Sequence, residues 1–279
     1  MSLQVLSAGV LTTIQDRGRA GHAHLGVPRS GALDPPAAAL ANRLVGNDPG
    51  AAVLEVTLGG LSVRTDTGCW VAVTGAPTPV SVGGRPAAYA RAEWVPAGAT
   101  VTLGTPATGV RSYVAVAGGL AVDPVLGSRS TDTLAGIGPA RVEPGQLLPV
   151  GRGGPPTPLD TPPRRVTDGL RLHPGPRGDW VEGDALDLLC AGSWSVLPAS
   201  DRVGLRLTGP PLPRRPGELE SEGMVLGAVQ LPPDGRPVVF LADHPTTGGY
   251  PVVAVVDTAD LWQCAQLRPG EAVSFRRGR

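Results

Sequence analysis

The chain has 279 residues and a formal net charge of zero, with no basic stripe that would bind a nucleic-acid backbone. All of its 24 basic residues are Arg. Gly and Pro are abundant, at 40 and 31 residues, but a hydrophobic fraction of 41% supports a folded core and excludes a disordered chain. No window approaches the roughly 20 apolar residues that cross a bilayer, and the N-terminus lacks the pattern of a secretion signal. We therefore expect a cytoplasmic protein that binds neither membrane nor nucleic acid.

The cysteine and lysine content limits the chemistry further. Three cysteines, Cys69, Cys190 and Cys264, lie far apart and are odd in number, which predicts reduced thiols rather than a disulfide framework or a zinc site. Without lysine the chain has no P-loop lysine, no Schiff-base lysine and no attachment point for covalent biotin. A reaction that needs ATP or biotin would depend on another chain for these functions.

The first half alternates short β-prone runs with turns, which is typical of a barrel or a sandwich. One helix is clearly signalled: Asp34 can cap its N-terminus, Pro35 suits the first turn, and Gly46 marks its end. The predicted strands of this half cover residues 4–6, 53–57, 61–63, 70–74, 100–103 and 112–116.

A proline-rich stretch, residues 152–165, separates the two halves, since each proline removes a donor from a sheet. We predict an N-terminal domain over 1–151, a linker over 152–165 and a C-terminal domain over 166–279. In the second half, helices are predicted over 180–189 and 257–267. The second half is again rich in β-prone runs, at 171–172, 203–207, 225–229, 238–242, 252–256 and 272–275.

The segment 12–34 is the first candidate for a functional site. It places Gln15, Asp16, Arg17 and Ser30 among glycines with no apolar periodicity, which predicts a long loop whose backbone can approach a ligand. The alternative is a turn-rich connector in which Asp16 and Arg17 pair with neighbours. An H-x-H pair also lies in this segment, but no third ligand stands at a recognised spacing, so no metal site is predicted.

The second candidate is the sequence GSRST at residues 127–131. Arg129 stands between two hydroxyl residues, and a guanidinium fork beside hydroxyl donors suits a carboxylate or a phosphate. An Arg that only joins two loops would give the same pattern.

Two further candidates lie in the second half. In SDRVGLRL (200–207), spacing by two places Arg202 and Arg206 on one strand face, and Glu222 and Gln230 follow nearby. Salt bridges alone would explain the same pattern, and this interpretation is favoured for Arg202.

The segment 241–256 is the other candidate, and it places Asp243, Thr246 and Tyr250 between two apolar strands. Asp243 could act as a base or orient a partner, whereas Thr-Gly-Gly is also ordinary turn chemistry.

Taken together, the sequence motifs of these segments resemble one family, that of the 5-oxoprolinase C subunits. This family is also described as allophanate hydrolase subunit 2 or as biotin-dependent carboxyltransferase-like. The resemblance runs from about Leu11 to Phe275 and implies two cyclophilin-like β-barrel domains with a few short helices. It is carried by T-I-Q-D-R-G-R-x-G, G-V-P-x-S-G-A-x-D, A-N-R-L-V-G-N, L-E-V-T, V-L-G-S-R-S-T, S-D-R-V-G-L-R-L, G-A-V-Q-L-P-P-D-G-R-P, D-H-P-T-T-G-G-Y and A-D-L-W-Q-C-A-Q-L-R-P-G.

The resemblance implies a C subunit that works with separate A and B subunits to open 5-oxo-L-proline to L-glutamate, with ATP bound in the assembled complex. Two alternatives stay open. One is the carboxyltransferase part of a biotin-dependent urea or amide carboxylase, and the other is a non-catalytic partner of the B subunit that regulates a sensor kinase. The family motifs map onto catalytic candidates Asp16, Arg17, Glu222, Asp243 and Thr246, and onto substrate-binding candidates Gln15, Ser30, Arg129, Arg206, Gln230 and Tyr250. We expect these groups to converge on one pocket for a small amide substrate.

Overall fold

Strands dominate the chain in the computed structural model, which describes residues 1–156 and 169–278. The described residues divide into two compact units. The first comprises Met1–Arg19, Ser30–Asp132 and the described residues from Gly136 to 156; the second comprises Ala20–Arg29, Thr133–Ala135 and the described residues from 169 onward. Most of the predicted linker, residues 157–165, lies outside the described residues, so the boundary at 152–165 stays a prediction.

Two antiparallel sheets form the first unit. The six-stranded sheet has the order β11-β1-β4-β9-β6-β7 and the five-stranded sheet has the order β2-β3-β10-β5-β8. The strands are β1 Ser2–Ala8, β2 Leu11–Gln15, β3 Val53–Thr57, β4 Leu61–Thr65, β5 Cys69–Gly75, β6 Val80–Val82, β7 Arg85–Ala87, β8 Ala92–Val95, β9 Thr100–Leu103, β10 Arg111–Val116 and β11 Leu147–Pro149.

Both faces of the five-stranded sheet are covered, which explains why every residue of β10 is buried. Val114 and Val116 pack into an apolar core shared with residues of the six-stranded sheet, whereas Tyr113 and Ala115, which alternate with them, pack with helix α1, Pro35–Leu44. The predicted helix is confirmed: the Asp34 carboxylate accepts a hydrogen bond from the Ala37 N–H at 2.9 Å at its N-terminus.

The second unit contains an eight-stranded sheet with the order β20-β13-β14-β17-β16-β19-β12-β21. Its two edge strands, β20 and β21, are separated in the chain by Ser274 alone, so the sheet curls into a nearly closed barrel. A two-stranded ribbon, β15–β18, accompanies it. The strands are β12 Leu170–Pro174, β13 Trp194–Val196, β14 Gly204–Thr208, β15 Glu222–Gly223, β16 Ala228–Gln230, β17 Val238–Phe240, β18 Thr247–Gly248, β19 Val252–Val256, β20 Ala272–Val273 and β21 Phe275–Arg277.

The predicted fold class, mainly β with a few short helices, is confirmed, but two predicted helices are wrong in extent. Instead of spanning 180–189, the chain makes a 3-10 turn at Gly178–Trp180, and α2, Ala185–Ala191, begins only after Asp184, whose carboxylate accepts from the Asp187 N–H at 3.0 Å. Only residues Leu261–Cys264 (α3) of the predicted helix 257–267 are α-helical. The chain makes a tight turn before α3, because the Asp260 N–H donates to the Asp257 carbonyl.

The predicted strand 225–229 also begins too early. The Ala228 N–H bonds the Val225 carbonyl at 3.1 Å in a turn, so β16 starts at Ala228. Among the helices of the described residues, none combines the length and the apolar character needed to cross a membrane.

Candidate functional site

In the first unit, the Asp16 carboxylate is the centre of a dense group of hydrogen bonds. Its oxygens accept from the hydroxyls of Ser128 and Ser130, each at 2.6 Å, from the Arg129 N–H at 2.6 Å and from the Gly18 N–H at 2.8 Å. Burial alone would raise the pKa of Asp16, but these hydrogen bonds outweigh it and hold that pKa below its usual value. The carboxylate is therefore ionised and orders the loop 128–130 beside it.

Gln15 is fully buried at the end of β2, so the predicted loop 12–34 begins with a strand. Its amide nitrogen donates to the Thr131 carbonyl at 2.9 Å and to the Thr13 hydroxyl at 3.0 Å. The carbonyl acceptor fixes which end of the amide is nitrogen. The amide oxygen has no hydrogen-bond partner in the part of the chain that the structure describes.

Ser30 lies in the same group, in a strained conformation. Its φ is 55°, in the left-handed region, and its hydroxyl donates to the Thr131 carbonyl at 2.9 Å. Gly31, with φ 102°, passes so close to the Arg17–Gly18 backbone that a Cβ there would lie 3.1 Å from it. The Ala32 N–H bonds the Asp16 carbonyl at 3.0 Å, so the two ends of the segment 17–31 are joined.

The two arginines predicted for this unit differ in their surroundings. Arg129 is half-buried, and its Nε donates to the Val122 carbonyl at 2.6 Å; its terminal nitrogens have no partner within the described ranges. Arg17 forms an ion pair of 3.3 Å with Asp48, with both side chains more than two-thirds exposed. The first unit thus brings together Gln15, Asp16, Ser30 and Arg129, whereas Arg17 takes the pairing role that its alternative interpretation describes.

In the second unit, Asp243 forms a buried ion pair with Arg202. The guanidinium binds both carboxylate oxygens, Nε at 2.9 Å and Nη2 at 3.0 Å, and both side chains are almost completely excluded from solvent. The N–H and hydroxyl of Thr133 also donate to Asp243 Oδ2, at 2.9 and 2.7 Å. Such a carboxylate holds its neighbours in place.

The prediction that Arg202 and Arg206 share one strand face is wrong. Arg202 lies in a bend before β14 and is buried, whereas Arg206 lies within β14 and is exposed. The period of two applies only to residues inside a strand. The Arg206 side chain makes no hydrogen bond or ion pair with any described residue, and the salt-bridge interpretation of Arg202 is confirmed.

Glu222 lies in strand β15 of the ribbon β15–β18, and Gln230, at the end of β16, lies beside the ribbon at Gly248. Glu222 forms a two-point ion pair with Arg177, with Arg177 Nε 3.0 Å from Oε2, and this hydrogen bond lowers the pKa of Glu222. The Gln230 amide nitrogen donates to the Tyr250 carbonyl at 2.9 Å, and a Cβ at Gly248 would approach that nitrogen to 2.9 Å.

In the ribbon, Glu222 pairs with Gly248 and Gly223 pairs with Thr247, so residues of the T-T-G-G-Y motif form one of its two strands. Thr246 is half-buried, and its carbonyl accepts from the Met224 N–H at 2.9 Å. Tyr250 is 46% exposed. The second unit therefore gathers Glu222, Gln230, Thr246 and Tyr250 around one ribbon.

Several partners of these groups were missed from sequence. Arg177 and Thr133 carry no local signal, because their carboxylate partners lie 45 and 110 residues away in the chain. Glu55 and its partner Tyr113 are both buried. The sequence signals Glu55, because a charged residue inside the apolar strand VLEVT requires a partner. The catalytic and substrate-binding roles, and a pocket common to both halves, stay predictions.

Within residues 1–156 and 169–278, no three His, Cys, Asp or Glu side chains lie close enough together to hold a metal ion.

Comparison with known proteins places this architecture in a family. The family model described as carboxyltransferase domain, subdomain A and B, matches residues 25–277, and the chain belongs to that family. The C subunit of the 5-oxoprolinase of Escherichia coli is 38% identical over 98% of this chain and 90% of its own length.

Two further likenesses involve longer proteins. The urea amidolyase of Lachancea kluyveri is 30% identical over 98% of this chain but only 17% of its own length. The crystal structure of TTHA0988 superposes with a TM-score of 0.89 at 40% identity, covering 99% of this chain and 55% of that one. This chain thus spans about half of the solved protein and about a sixth of the yeast enzyme.

Proposed function

We propose that this chain is the C subunit of an ATP-dependent 5-oxoprolinase, which opens 5-oxo-L-proline to L-glutamate together with its A and B subunits. The observation that carries the proposal is the 38% identity with the E. coli C subunit, which extends over 98% of this chain and 90% of that protein. The Haemophilus influenzae C subunit, at 32% identity over 98% of this chain, supports it.

The reaction needs activation, because the ring amide of 5-oxoproline resists attack by water. Transfer of a phosphoryl group from ATP to the amide oxygen, with ADP leaving, makes the ring carbon electrophilic. Addition of one water to that carbon, with cleavage of the ring C–N bond and transfer of a proton to the leaving nitrogen, leaves an acyl phosphate. A second water hydrolyses the acyl phosphate to the carboxylate of glutamate and free phosphate. Positioned donors stabilise the negative charge that develops on oxygen.

We assign ATP binding to another subunit of the complex. This chain has no lysine and therefore no P-loop lysine to reach the phosphates. Its own contribution is to bind and orient the lactam, which carries a carboxylate, an amide N–H and a carbonyl oxygen.

Two guanidinium groups, one in each unit, are separate candidates for binding the substrate carboxylate. The terminal nitrogens of Arg129 and the whole Arg206 side chain are without partners among the described residues. Arginine binds a carboxylate through two parallel hydrogen bonds, and each such charged hydrogen bond stabilises a complex by about 1.5–3 kcal/mol. Asp16 and Asp243, in contrast, already accept hydrogen bonds on both oxygens and serve to hold the surrounding segments.

The test is reconstitution of this chain with its A and B subunits, with 5-oxoproline and ATP supplied and glutamate and ADP measured. We expect glutamate only when all three subunits are present. Turnover that is unchanged when this chain is omitted would exclude the proposal.

Arg206→Ala then tests substrate binding, and Arg64→Ala is the matched control because Arg64 is also exposed on a strand. Loss of a carboxylate contact predicts a KM for 5-oxoproline raised about 10- to 100-fold in the first variant alone. Equal KM values in the two variants would remove Arg206 from the binding site.

Carboxyl transfer is the second candidate, favoured by the carboxyltransferase family model and by the urea amidolyase relatives. Since this chain lacks lysine, biotin would have to arrive on a separate carrier. Carboxylation of urea by this chain with a biotinylated carrier, without glutamate formation in the first assay, would support this candidate instead.

A further inference from the structure

A buried polar network lies directly below the segment 30–34, outside the predicted site. Glu55 on β3 and Tyr113 on β10 are opposite each other in the five-stranded sheet, and both are almost completely buried. Glu55 Oε2 accepts from the Leu33 N–H at 2.9 Å, and the Tyr113 hydroxyl accepts from the Asp34 N–H at 2.8 Å. Two consecutive backbone donors are therefore fixed by the sheet.

The two side chains also fix each other. The Tyr113 hydroxyl donates to Glu55 Oε2 at 2.9 Å, so its proton points toward Glu55 and its lone pair toward Asp34. Burial and the nearby negative charges of Glu55 and Asp34 raise the pKa of Tyr113, which keeps this proton in place. Arg111 Nε, 3.6 Å from Glu55 Oε1, supplies the opposite charge.

The anchored residues follow the most strained part of the first-unit group. Ser30 has φ 55°, and Gly31 lies against the Arg17–Gly18 backbone. A non-glycine residue keeps a left-handed conformation only where surrounding contacts determine it. The bond from the Ala32 N–H to the Asp16 carbonyl holds one side of this segment, and Glu55 and Tyr113 hold the next two N–H groups.

We infer that Glu55 and Tyr113 are positioning residues for substrate binding: they hold Leu33 and Asp34 so that Ser30 keeps the orientation that the substrate requires. This inference rests on the proposed function, since Ser30 is a predicted binding residue. Neither side chain touches substrate, because both are enclosed between the sheet and α1.

Tyr113→Phe tests the inference, because it removes only the hydroxyl. Thr74→Val is the matched control, because the buried Thr74 hydroxyl donates to the Ala37 carbonyl at 2.7 Å. Thr74 therefore holds helix α1 from the neighbouring strand but makes no hydrogen bond to residues 30–34. Glu55→Gln keeps an acceptor for the Leu33 N–H and serves as a second variant.

In the three-subunit complex, we expect Tyr113→Phe to raise the KM for 5-oxoproline roughly 5- to 30-fold with kcat nearly unchanged. Thr74→Val should leave KM within about twofold, and Glu55→Gln should lie between the two. Hydrogen exchange of the peptide covering 30–34 should accelerate in Tyr113→Phe and not in Thr74→Val.

Two results overturn the inference in distinguishable ways. If Tyr113→Phe and Thr74→Val lower the thermal midpoint alike but leave KM and exchange at 30–34 unchanged, the network only stabilises the fold. If the wild-type complex forms no glutamate, the proposed function fails first and the inference falls with it.

Discussion

Replacing Asp243 with Asn removes the negative charge opposite Arg202 and keeps the shape of the side chain. The pair is enclosed in the second unit, with exposed side-chain fractions of 0% for Asp243 and 2% for Arg202. The new amide nitrogen would face a guanidinium N–H at either oxygen position, and at the Oδ2 position it would face the Thr133 donors as well. The variant therefore removes the carboxylate charge that the buried Arg202 guanidinium binds at two points.

The magnitude follows from that burial. Removing one partner of a buried ion pair destabilises a protein by about 3–5 kcal/mol, and we expect the lower end because Asn keeps one acceptor oxygen. With a urea m-value of ~2.5 kcal/mol/M, a loss of ~3 kcal/mol lowers the unfolding midpoint by about 1.2 M. The Arg17–Asp48 pair is the opposite case: both side chains are exposed, and such pairs contribute roughly 0–1 kcal/mol.

The assay is urea unfolding followed by hydrogen exchange of peptides from the second unit, because a chain with two units need not unfold in one step. Arg17→Ala is the control and should shift the midpoint by less than about 0.4 M. A midpoint for Asp243→Asn that falls no further than the control would refute the energetic importance of the buried pair.

Three further predictions concern single side chains. Asp34→Ala removes the cap of α1 and should lower the free energy of unfolding by about 1 kcal/mol, measurable as a lower thermal midpoint. Arg177 lowers the pKa of Glu222 in the folded protein, so their pairing stabilises the fold fully at pH values above the pKa of Glu in the unfolded chain. This stabilisation is lost as the pH falls through the pKa of Glu222 in the folded protein. In Arg177→Ala, an NMR titration should find a higher pKa for Glu222 than in the wild type. Asp16→Asn should lower turnover through disorder of the 128–130 loop but leave the pH profile of kcat unchanged, whereas loss of its acid limb would identify Asp16 as the general base.

Features that depend on neighbouring residues could be predicted from the sequence. The cap, the proline and the glycine that define α1 lie within 13 residues of one another, and their signals act through local backbone geometry. The same reasoning overextended α3, because the Asp257 carboxylate accepts from the Ala259 N–H and favours a turn over a helix start.

Contacts between distant residues could not be predicted. Arg202 and Arg206 have the same local pattern, and only the fold buries the first against Asp243, 41 residues away, while exposing the second. Likewise the loop hydroxyls that surround Asp16 lie 112 and 114 residues from it. The residue types of the candidate groups could thus be read from the sequence, whereas the hydrogen-bond partners of each came only from the structure.

The state of the three acidic candidates limits what this chain can do in catalysis. A general base needs a lone pair within reach of the substrate and a pKa near the working pH. Asp16 accepts four hydrogen bonds that lower its pKa, Asp243 is bound on both oxygens by Arg202, and the pKa of Glu222 is lowered by Arg177. All three carboxylates are therefore engaged by donors of this chain, whereas the terminal nitrogens of Arg129 and the Arg206 side chain have no hydrogen-bond or ion-pair partner among the described residues. Within the proposed 5-oxoprolinase complex, we therefore propose a division of labour in which this chain binds and orients the lactam while the other subunits supply the base and the phosphoryl donor.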